Sequence, residues 1–342
     1  MTFALSLVNS GLLAPVYHGP PRLTPAQAFT EWSVNPFALI VIVLVAAAYV
    51  AGVRRVRQAG GEWPAGRIVA FCGGGLGFAL IATCSFLAVY GKVLFYVRSF
   101  QTILLLLGVP LFIMLGRPVS LVIAASAKFG PRVEQAVHGR LARLITFPAI
   151  TGFLLVVTPF VLYFSPWYAA GFRHAFVMDL TYLALVAPGM VFFWTLLRVD
   201  PVPRQFPYMV ALWVTAAEVV GDAALGLAVI ADRSLIAGSY YHAVGWPWGP
   251  TLASDQVIGG GALWVFGDII GLPFLAALLI AMIREDESEA KVIDAQLDAE
   301  EAREEPALES EPAQQKLWWE NDPRFAGRFA AVEPRQGDQE SQ

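Results

Sequence analysis

The stretch YVRSFQTILLLLGVPLFIMLG, residues 96–116, is long and apolar enough to cross a bilayer, yet it contains the permanently charged Arg98. About 20 consecutive apolar residues span the roughly 30 Å of hydrocarbon as a helix. Over all 342 residues, 57% are hydrophobic and 15% are charged, which leaves too little polar surface to cover a soluble protein of this size. The sequence therefore predicts an integral membrane protein.

Apolar runs of this length recur along the chain. The alternating segments of about ten residues that are typical of an outer-membrane barrel are not evident in the sequence, so we expect an all-α bundle. Pro110, Pro159 and Pro188 fall inside the runs and are expected to kink them. Seven transmembrane helices are predicted, at residues 35–53, 68–90, 93–115, 145–165, 176–197, 208–231 and 257–283.

Basic residues are concentrated in alternate connections between these runs, at residues 54–67, 117–143 and 198–204. Because loops rich in Lys and Arg stay in the cytoplasm, the N-terminus is predicted outside and the C-terminus inside. The opening residues lack a basic region and a small-residue cleavage site, so no cleaved signal peptide is predicted. The expected organisation is an extracytoplasmic segment (1–34), a transmembrane domain (35–283) and a cytoplasmic tail (284–342).

The predicted tail is strongly acidic, with 17 Asp and Glu against 7 Lys and Arg in residues 284–342. Its first part is expected to extend the last helix into solvent, and residues from about 305 onward are predicted to be disordered. Trp318 and Trp319 interrupt the acidic composition. They are either a contact for a partner or the bilayer surface, or part of a lightly ordered tail with no role.

Small residues within the spans are interpreted structurally. Cys72 and Cys84 are twelve residues apart and therefore do not share a helix face, so we expect them to be buried hydrophobic residues. The glycine runs at 73–77 and 259–261 are expected to allow close helix packing.

Ionisable side chains at membrane depth are the candidate functional residues, because an intramembrane charge is costly and normally faces the bundle interior, a partner or water. Most of them fall in the outer half of the predicted spans, with Glu218 near the middle. The sequence therefore predicts a buried polar cluster that opens toward the outside and consists of Arg98, Thr102, Asp179, Thr181, Glu218, Asp222 and Asp268.

Three blocks of sequence resemble the bacterial CtaG-type cytochrome c oxidase assembly factors. The first, residues 63–121, is similar to the family's second and third spans. The second, FFWTLLRVDPVPRQFPY (192–208), is similar to a cytoplasmic turn, and the third, residues 232–271, to an outer loop followed by the Asp-Gln-x-x-Gly-Gly start of the last span. This resemblance implies a seven-span bundle that assists maturation of a haem–copper oxidase, with copper delivery as the supposed chemistry.

The family's histidines are absent at the matching positions. Its His-Met-x-x-His motif in the third span falls on Arg98 to Thr102 here, and two further histidines fall on Thr181 and Asp222. Copper requires imidazole, thioether or thiolate donors, and a guanidinium has no lone pair to donate. We therefore predict no metal at the family position and no cofactor. Instead, Arg98 is predicted to pair with Asp222 or Asp179.

Two alternatives stay open for these residues. Arg98 can instead extend along its helix toward lipid headgroups, since its side chain is long. A weak copper contact is conceivable at His174 and Met178, spaced i, i+4, if Cys84 or His242 supplied a third donor. Against that stands the simpler interpretation of a loop-edge histidine and a packed methionine.

The leading functional hypothesis is a non-enzymatic assembly or accessory factor for a respiratory cytochrome c oxidase. Its expected partners are oxidase subunits or other assembly factors and the lipid bilayer, with no nucleic acid. The outer loop YYHAVGWPWGP is either an interfacial belt or a partner surface. Candidate partner contacts are Tyr241, His242, Trp246, Trp248, Trp318 and Trp319. A small-solute or proton transporter that uses the Arg/Asp/Glu cluster is the alternative, and an intramembrane hydrolase is a weaker third hypothesis.

Overall fold

The computed structural model describes residue 17 and residues 19–309, and every regular element in that part of the chain is helical. The helices are α1 (Pro25–Thr30), α2 (Pro36–Gln58), α3 (Ala65–Tyr90), α4 (Phe95–Ala125), α5 (Gly130–Val137), α6 (Arg140–Ile145), α7 (Pro148–Tyr163), α8 (Pro166–Arg173), α9 (Ala175–Leu197), α10 (Tyr208–Ala231), α11 (Gly238–Val244) and α12 (Leu252–Glu309). Regular α-geometry is interrupted by π-helical segments at Val69–Leu76 in α3 and Leu104–Gly108 in α4, and by breaks at Ser85 in α3 and at Gly116 and Arg117 in α4.

Six of these helices, α2, α3, α4, α9, α10 and α12, are long and apolar enough to cross a membrane. The helices α7 and α8 meet the same test only as a pair, and the pair is bent by 67° at the break between them. By itself α7 has 16 residues, or about 24 Å, which is shorter than the hydrocarbon layer. The prediction of an all-helical, multi-pass membrane protein is confirmed.

A proline and a glycine set the contact between α4 and α9. Pro110 has no N–H to give to the Leu106 carbonyl one turn earlier, and a π-helical segment, Leu104–Gly108, precedes it. Gly189 of α9 packs against that carbonyl so closely that a Cβ at position 189 would lie 2.0 Å from the Leu106 oxygen. A glycine is therefore required at this crossing.

The start of α12 is bonded to the ends of two other helices. Its Asp255 carboxylate accepts hydrogen bonds from the backbone N–H groups of Phe95 (2.8 Å) and Tyr96 (3.0 Å), which begin α4. The amide of Gln256 accepts from Ile236 N–H and donates to Val229 O, at the end of α10. Because helix ends leave backbone groups unpaired, these side chains replace bonds that the membrane cannot supply.

Gly259 and Gly260, one turn further along α12, contact the same two helices, α4 and α10. A Cβ at Gly259 would lie 2.3 Å from the Phe95 ring in α4, and one at Gly260 would lie 2.8 Å from the Gly226 carbonyl in α10. The expectation that these glycines serve close helix packing is confirmed. Together with Asp255 and Gln256, they fix α12 between α4 and α10.

The carboxylate of Asp200 caps the part of α4 that follows the interruption at Gly116 and Arg117. Arg117 has a left-handed backbone (φ 53°), and the helical segment Pro118–Ala125 that follows has no cap from its own chain neighbourhood. Asp200, in the connection between α9 and α10, accepts hydrogen bonds from the N–H groups of Val119 (3.2 Å) and Ser120 (2.9 Å). The buried Asp200 thus ties this connection to α4.

The last helix continues past the apolar part of the chain, and the described residues 283–309 belong to a separate unit. Side chains are exposed from residue 283 to residue 300, as an acidic helix in water requires. The helix extends to Glu309, beyond residue 305, the predicted start of disorder. Residues 310–342, with Trp318 and Trp319, lie outside the described residues, and their disorder stays a prediction.

We predict that Asp255→Ala lowers the free energy of unfolding by about 1–3 kcal/mol, because two buried N–H groups of α4 lose their acceptor. Unfolding can be followed by circular dichroism in detergent. The control is Asp286→Ala on the exposed part of the same helix, which should change stability by less than about 0.5 kcal/mol. Equal effects of the two substitutions would contradict this role for Asp255.

Candidate functional site

Arg98 lies inside the bundle near the start of α4, and only 3% of it is exposed. Its Nη1 donates a hydrogen bond of 2.7 Å to Oε1 of Gln101, one turn later. Gln101 in turn donates from Nε2 to the Ala82 carbonyl in α3 and, at 3.4 Å, to the Tyr182 hydroxyl in α9. The guanidinium is therefore held by an amide that also connects three helices.

Aromatic rings surround the rest of the guanidinium. The Arg98 Cζ lies 5.5 Å from the centre of the Tyr182 ring and 5.9 Å from that of Phe172. Phe172 stacks on Tyr240 with ring centres 4.3 Å apart, which fixes its orientation. Attraction between a cation and a ring face is worth about 0.5–2 kcal/mol, more where water is excluded. These rings replace part of the hydration that Arg98 loses on burial.

Tyrosine hydroxyls close to Arg98 are hydrogen-bonding groups rather than counter-ions. Burial raises the pKa of the Tyr240 and Tyr241 phenols, and the Arg98 cation only partly opposes the rise. Both phenols are thus neutral near pH 7. The Tyr241 hydroxyl pairs with that of Tyr168 at 2.8 Å, which joins α11 to α8 above the site.

The predicted ion pair between Arg98 and Asp222 or Asp179 is wrong for the part of the chain that the structure describes. Asp179 is half-buried and accepts a hydrogen bond of 2.7 Å from Asn35, just before α2. Asp222 is buried on α10, where a Cβ at Gly267 of α12 would lie 2.1 Å from its Oδ2. Helix geometry placed these residues at similar depth, but their side chains point to different neighbours.

The residues of the predicted polar cluster have different neighbours. Arg98, Gln101 and Thr102 form one group, and Asp179 belongs to the contact with Asn35. Glu218 and Asp222 lie on the face of α10 that packs against α12, where Glu218 Oε2 lies near Gly271. Within residues 17 and 19–309, oxygens of Glu218, Asp222 and the half-buried Asp268 are buried without a hydrogen-bond partner.

The residues at the family's histidine positions do not suit copper. The Thr102 hydroxyl donates to the Arg98 carbonyl and accepts from Tyr163 at 3.0 Å. The Thr181 hydroxyl donates to Val177 O and accepts from the Trp167 indole at 2.9 Å. A guanidinium, two engaged hydroxyls and a carboxylate supply none of the soft or imidazole donors that copper prefers.

His174 and Met178, the other predicted copper contact, have different environments. His174 is exposed at the start of α9, whereas Met178 is buried against Gly171. The candidate third donors are Cys84, which is buried, and His242, which is exposed. In the described residues, no three His, Cys, Asp or Glu side chains are grouped so that they could hold a metal ion.

The predicted partner contacts in the connection between α10 and α12 differ in their exposure. Tyr241 is only 4% exposed and packs against Phe172 and Trp246, and its role as a partner contact stays a prediction. Trp246 and Trp248 are half-buried, and Trp248 packs edge-on against Tyr90. His242 is exposed. The aromatic side chains Tyr241 and Trp248 thus pack on the bundle, through Phe172 and Tyr90.

Gln101, Asn35 and Asp200 were not recognised from the sequence. A polar side chain three residues after Arg98 in an apolar helix was the available signal for Gln101, since i and i+3 positions are neighbours. Nothing comparable indicated that Asn35 would meet Asp179, 144 positions later. Asp255 and Gln256 were recognised only as part of a family motif, and the structure gives them their role as caps.

The helical bundle coincides with the part of the chain that a family model covers. The model of the cytochrome c oxidase caa3 assembly factor family matches residues 47–285, from within α2 to the middle of α12. The chain belongs to this family. The resemblance stated above is thereby confirmed, and Asp255, Gln256, Gly259 and Gly260 are family-motif positions that this structure explains as helix contacts.

Curated mycobacterial proteins are also similar to this chain. It is 28% identical to an uncharacterized protein of Mycobacterium leprae (strain TN) over 276 residues, which cover 78% of the chain and 41% of the relative. It is 26% identical to an uncharacterized protein of Mycobacterium bovis and to one of Mycobacterium tuberculosis over 298 residues, covering 84% of the chain and 45% of each. The chain thus spans less than half the length of these relatives. No solved structure matches it significantly.

We predict that Arg98 and Gln101 are energetically coupled and that Arg98 and Asp222 are not. A double-mutant cycle with Arg98→Met and Gln101→Leu should give a coupling free energy of about 1 kcal/mol or more, because each side chain loses its partner. The matched cycle with Arg98→Met and Asp222→Asn should give less than about 0.5 kcal/mol. Unfolding in detergent measures both coupling free energies. A larger coupling between Arg98 and Asp222 than between Arg98 and Gln101 would support the ion-pair hypothesis instead.

Proposed function

We propose that this chain is a membrane accessory factor in the biogenesis of a haem–copper cytochrome c oxidase, and that it acts by binding oxidase subunits or another assembly factor. The observation that carries the proposal is the family match over residues 47–285, which covers most of the transmembrane bundle. Among the described residues, the site contains no nucleophile next to a base and no group of side chains arranged to bind a metal ion. We therefore propose a binding role rather than catalysis.

The proposal includes loss of the family's copper site. It is supported by the chemistry at positions 98, 102, 181 and 222, where each side chain is either cationic, anionic or an engaged hydroxyl. Arg98 places a positive charge where a copper ion would need a neutral donor, and repulsion adds to the lack of ligands. On this proposal the family's scaffold is kept and its metal chemistry is not.

The proposed topology has seven spans in a bacterial plasma membrane. It counts α7 and α8 as one broken span, since together they pass the length and hydropathy test. An odd number of spans places the two ends of the bundle on opposite sides, and the basic connections at 54–67, 117–143 and 198–204 then all face the cytoplasm. The connection between α10 and α12, including His242, faces outside.

The transporter hypothesis stays the alternative to a binding role. It required Arg98, Asp179, Asp222 and Glu218 in one pathway, whereas Asp179 is bonded to Asn35 and the other two carboxyls face α12. No observation on these residues favours transport over binding.

We predict that the full-length protein contacts an oxidase subunit through its outer connection. A photo-crosslinking residue at His242 in native membranes should yield a covalent adduct that mass spectrometry identifies as an oxidase subunit or assembly factor. The matched control is the same residue at His138, which is equally exposed but lies in a connection proposed to be cytoplasmic. Adducts of unrelated proteins at both positions, with normal oxidase levels after gene deletion, would refute the proposal.

We predict that the purified protein binds far less than one copper ion per chain, because the matching positions carry no imidazole, thioether or thiolate. Elemental analysis after equilibration with Cu(I) measures the stoichiometry. About one copper per wild-type chain that is lost in Thr102→Ala would show that the site still holds metal. If such a copper-binding protein still co-purified with the oxidase, the proposed assembly role would stand, and only the proposed loss of the copper site would be overturned.

A further inference from the structure

A narrow apolar groove runs between α2 and α9. One wall is formed by the α2 residues Phe37, Val41 and Val45, and the other by the α9 residues Tyr182, Val186 and Met190. Leu105, Val109 and Ile113 of α4 form its floor. The helix α2 packs instead against α3 and the end of α4, so the space beside α9 is left open toward the membrane.

The size of the groove limits what can occupy it. Its volume is about 340 Å³. The lining residues of α9, from Asp179 to Met190, extend over roughly 16 Å at 1.5 Å per residue. A helix with side chains is about 10–12 Å wide, so over this length it would need on the order of 1,300 Å³ or more, which exceeds the volume of the groove. One extended hydrocarbon chain fits this space, and a transmembrane helix of a partner does not.

A polar cleft adjoins the groove at the end where α2 begins. It has a volume of about 510 Å³ and shares Phe37, Thr83, Asp179 and Tyr182 with the groove. Ser33, Asn35 and the exposed Lys92 also line it. The Asn35–Asp179 hydrogen bond of 2.7 Å lies where the two spaces meet and holds the start of α2 beside α9.

The charges of the cleft indicate the headgroup. Lys92 supplies a cation, and Arg98 lies behind the rings of Phe172 and Tyr182, both of which line the cleft. Buried Arg98 has an Nε atom without a hydrogen-bond partner among the described residues, so its charge is incompletely compensated. These cations favour a phosphate, and the carboxylate of Asp179 favours a neighbouring ammonium group.

We propose that the groove and the cleft together bind one phospholipid with an amine-bearing headgroup, such as phosphatidylethanolamine. One acyl chain lies between α2 and α9, the phosphate lies near Lys92, and the ammonium lies near Asp179. Both spaces are within the size range of ligand sites, and they match the apolar and polar parts of such a lipid in order. The proposal does not depend on the oxidase partner.

The experiment compares lipid binding to the full chain by native mass spectrometry, with palmitoyl-oleoyl phosphatidylethanolamine and phosphatidylglycerol as probes. Wild type should retain one phosphatidylethanolamine at least about tenfold more tightly than phosphatidylglycerol, which lacks the ammonium group. Val41→Trp and Val186→Phe fill the groove from opposite walls, and each should abolish this preferred adduct. Lys92→Gln should keep a lipid in the groove but reduce its affinity.

The control is Val43→Trp, which makes the same change on an exposed face of α2 outside the groove and should bind as wild type does. Circular dichroism checks that each variant is folded. Equal binding by the position 41 and position 43 variants, or no retained lipid in wild type, would overturn the site. Preference for phosphatidylglycerol, a free fatty acid or an isoprenoid quinone would overturn the assigned headgroup.

Discussion

The arrangement of the bundle depends on the hydrogen bonds that the first turn of α12 makes to other helices. In a membrane interior, the unpaired N–H and C=O groups at helix ends have no water to bind, and leaving them unpaired costs several kcal/mol. Asp255 meets this requirement for α4, and Gln256 meets it for α10. Neighbouring glycines allow the backbones to come close enough for both sets of bonds. The position of Arg98, four residues into α4, follows from this contact.

Burial of Arg98 without a carboxylate shows how a cation is tolerated at this depth. The amide of Gln101 satisfies one nitrogen, and the faces of Tyr182 and Phe172 lie near the guanidinium. Aromatic residues of α8 and α11 pack around these groups in turn, so part of the connection between α10 and α12 belongs to the bundle. A full ion pair would have required a carboxylate pointing to the same side, whereas Asp179 is bonded to Asn35 and Asp222 lies against Gly267 of α12.

Much of the architecture was readable from the chain because the bilayer imposes it. The apolar runs at 176–197 and 208–231 correspond closely to α9 and α10, since run length and thickness must agree. The bent pair α7 and α8 was not predicted, because the fourth apolar run was predicted to end at residue 165 and Pro166–Arg173 was not assigned to a helix. Depth of the site residues could be counted along each helix. The side-chain partners of these residues could not be predicted. Successive side chains point about 100° apart around a helix, and contacts with residues distant in sequence decide which way the helix is turned.

The double attachment at the start of α12 also restricts how the bundle can move. Sliding that helix by one residue would shift it about 1.5 Å and turn it by about 100°, which would break its bonds to both α4 and α10 at once. Piston-like displacement along the membrane normal is therefore disfavoured. Tilting about the bonded end remains permitted, because it stretches these short bonds least and opens the helices most at the opposite membrane face. In residues 252–282 the first turn acts as a pivot, so any conformational change should be small at Asp255 and grow with distance from it.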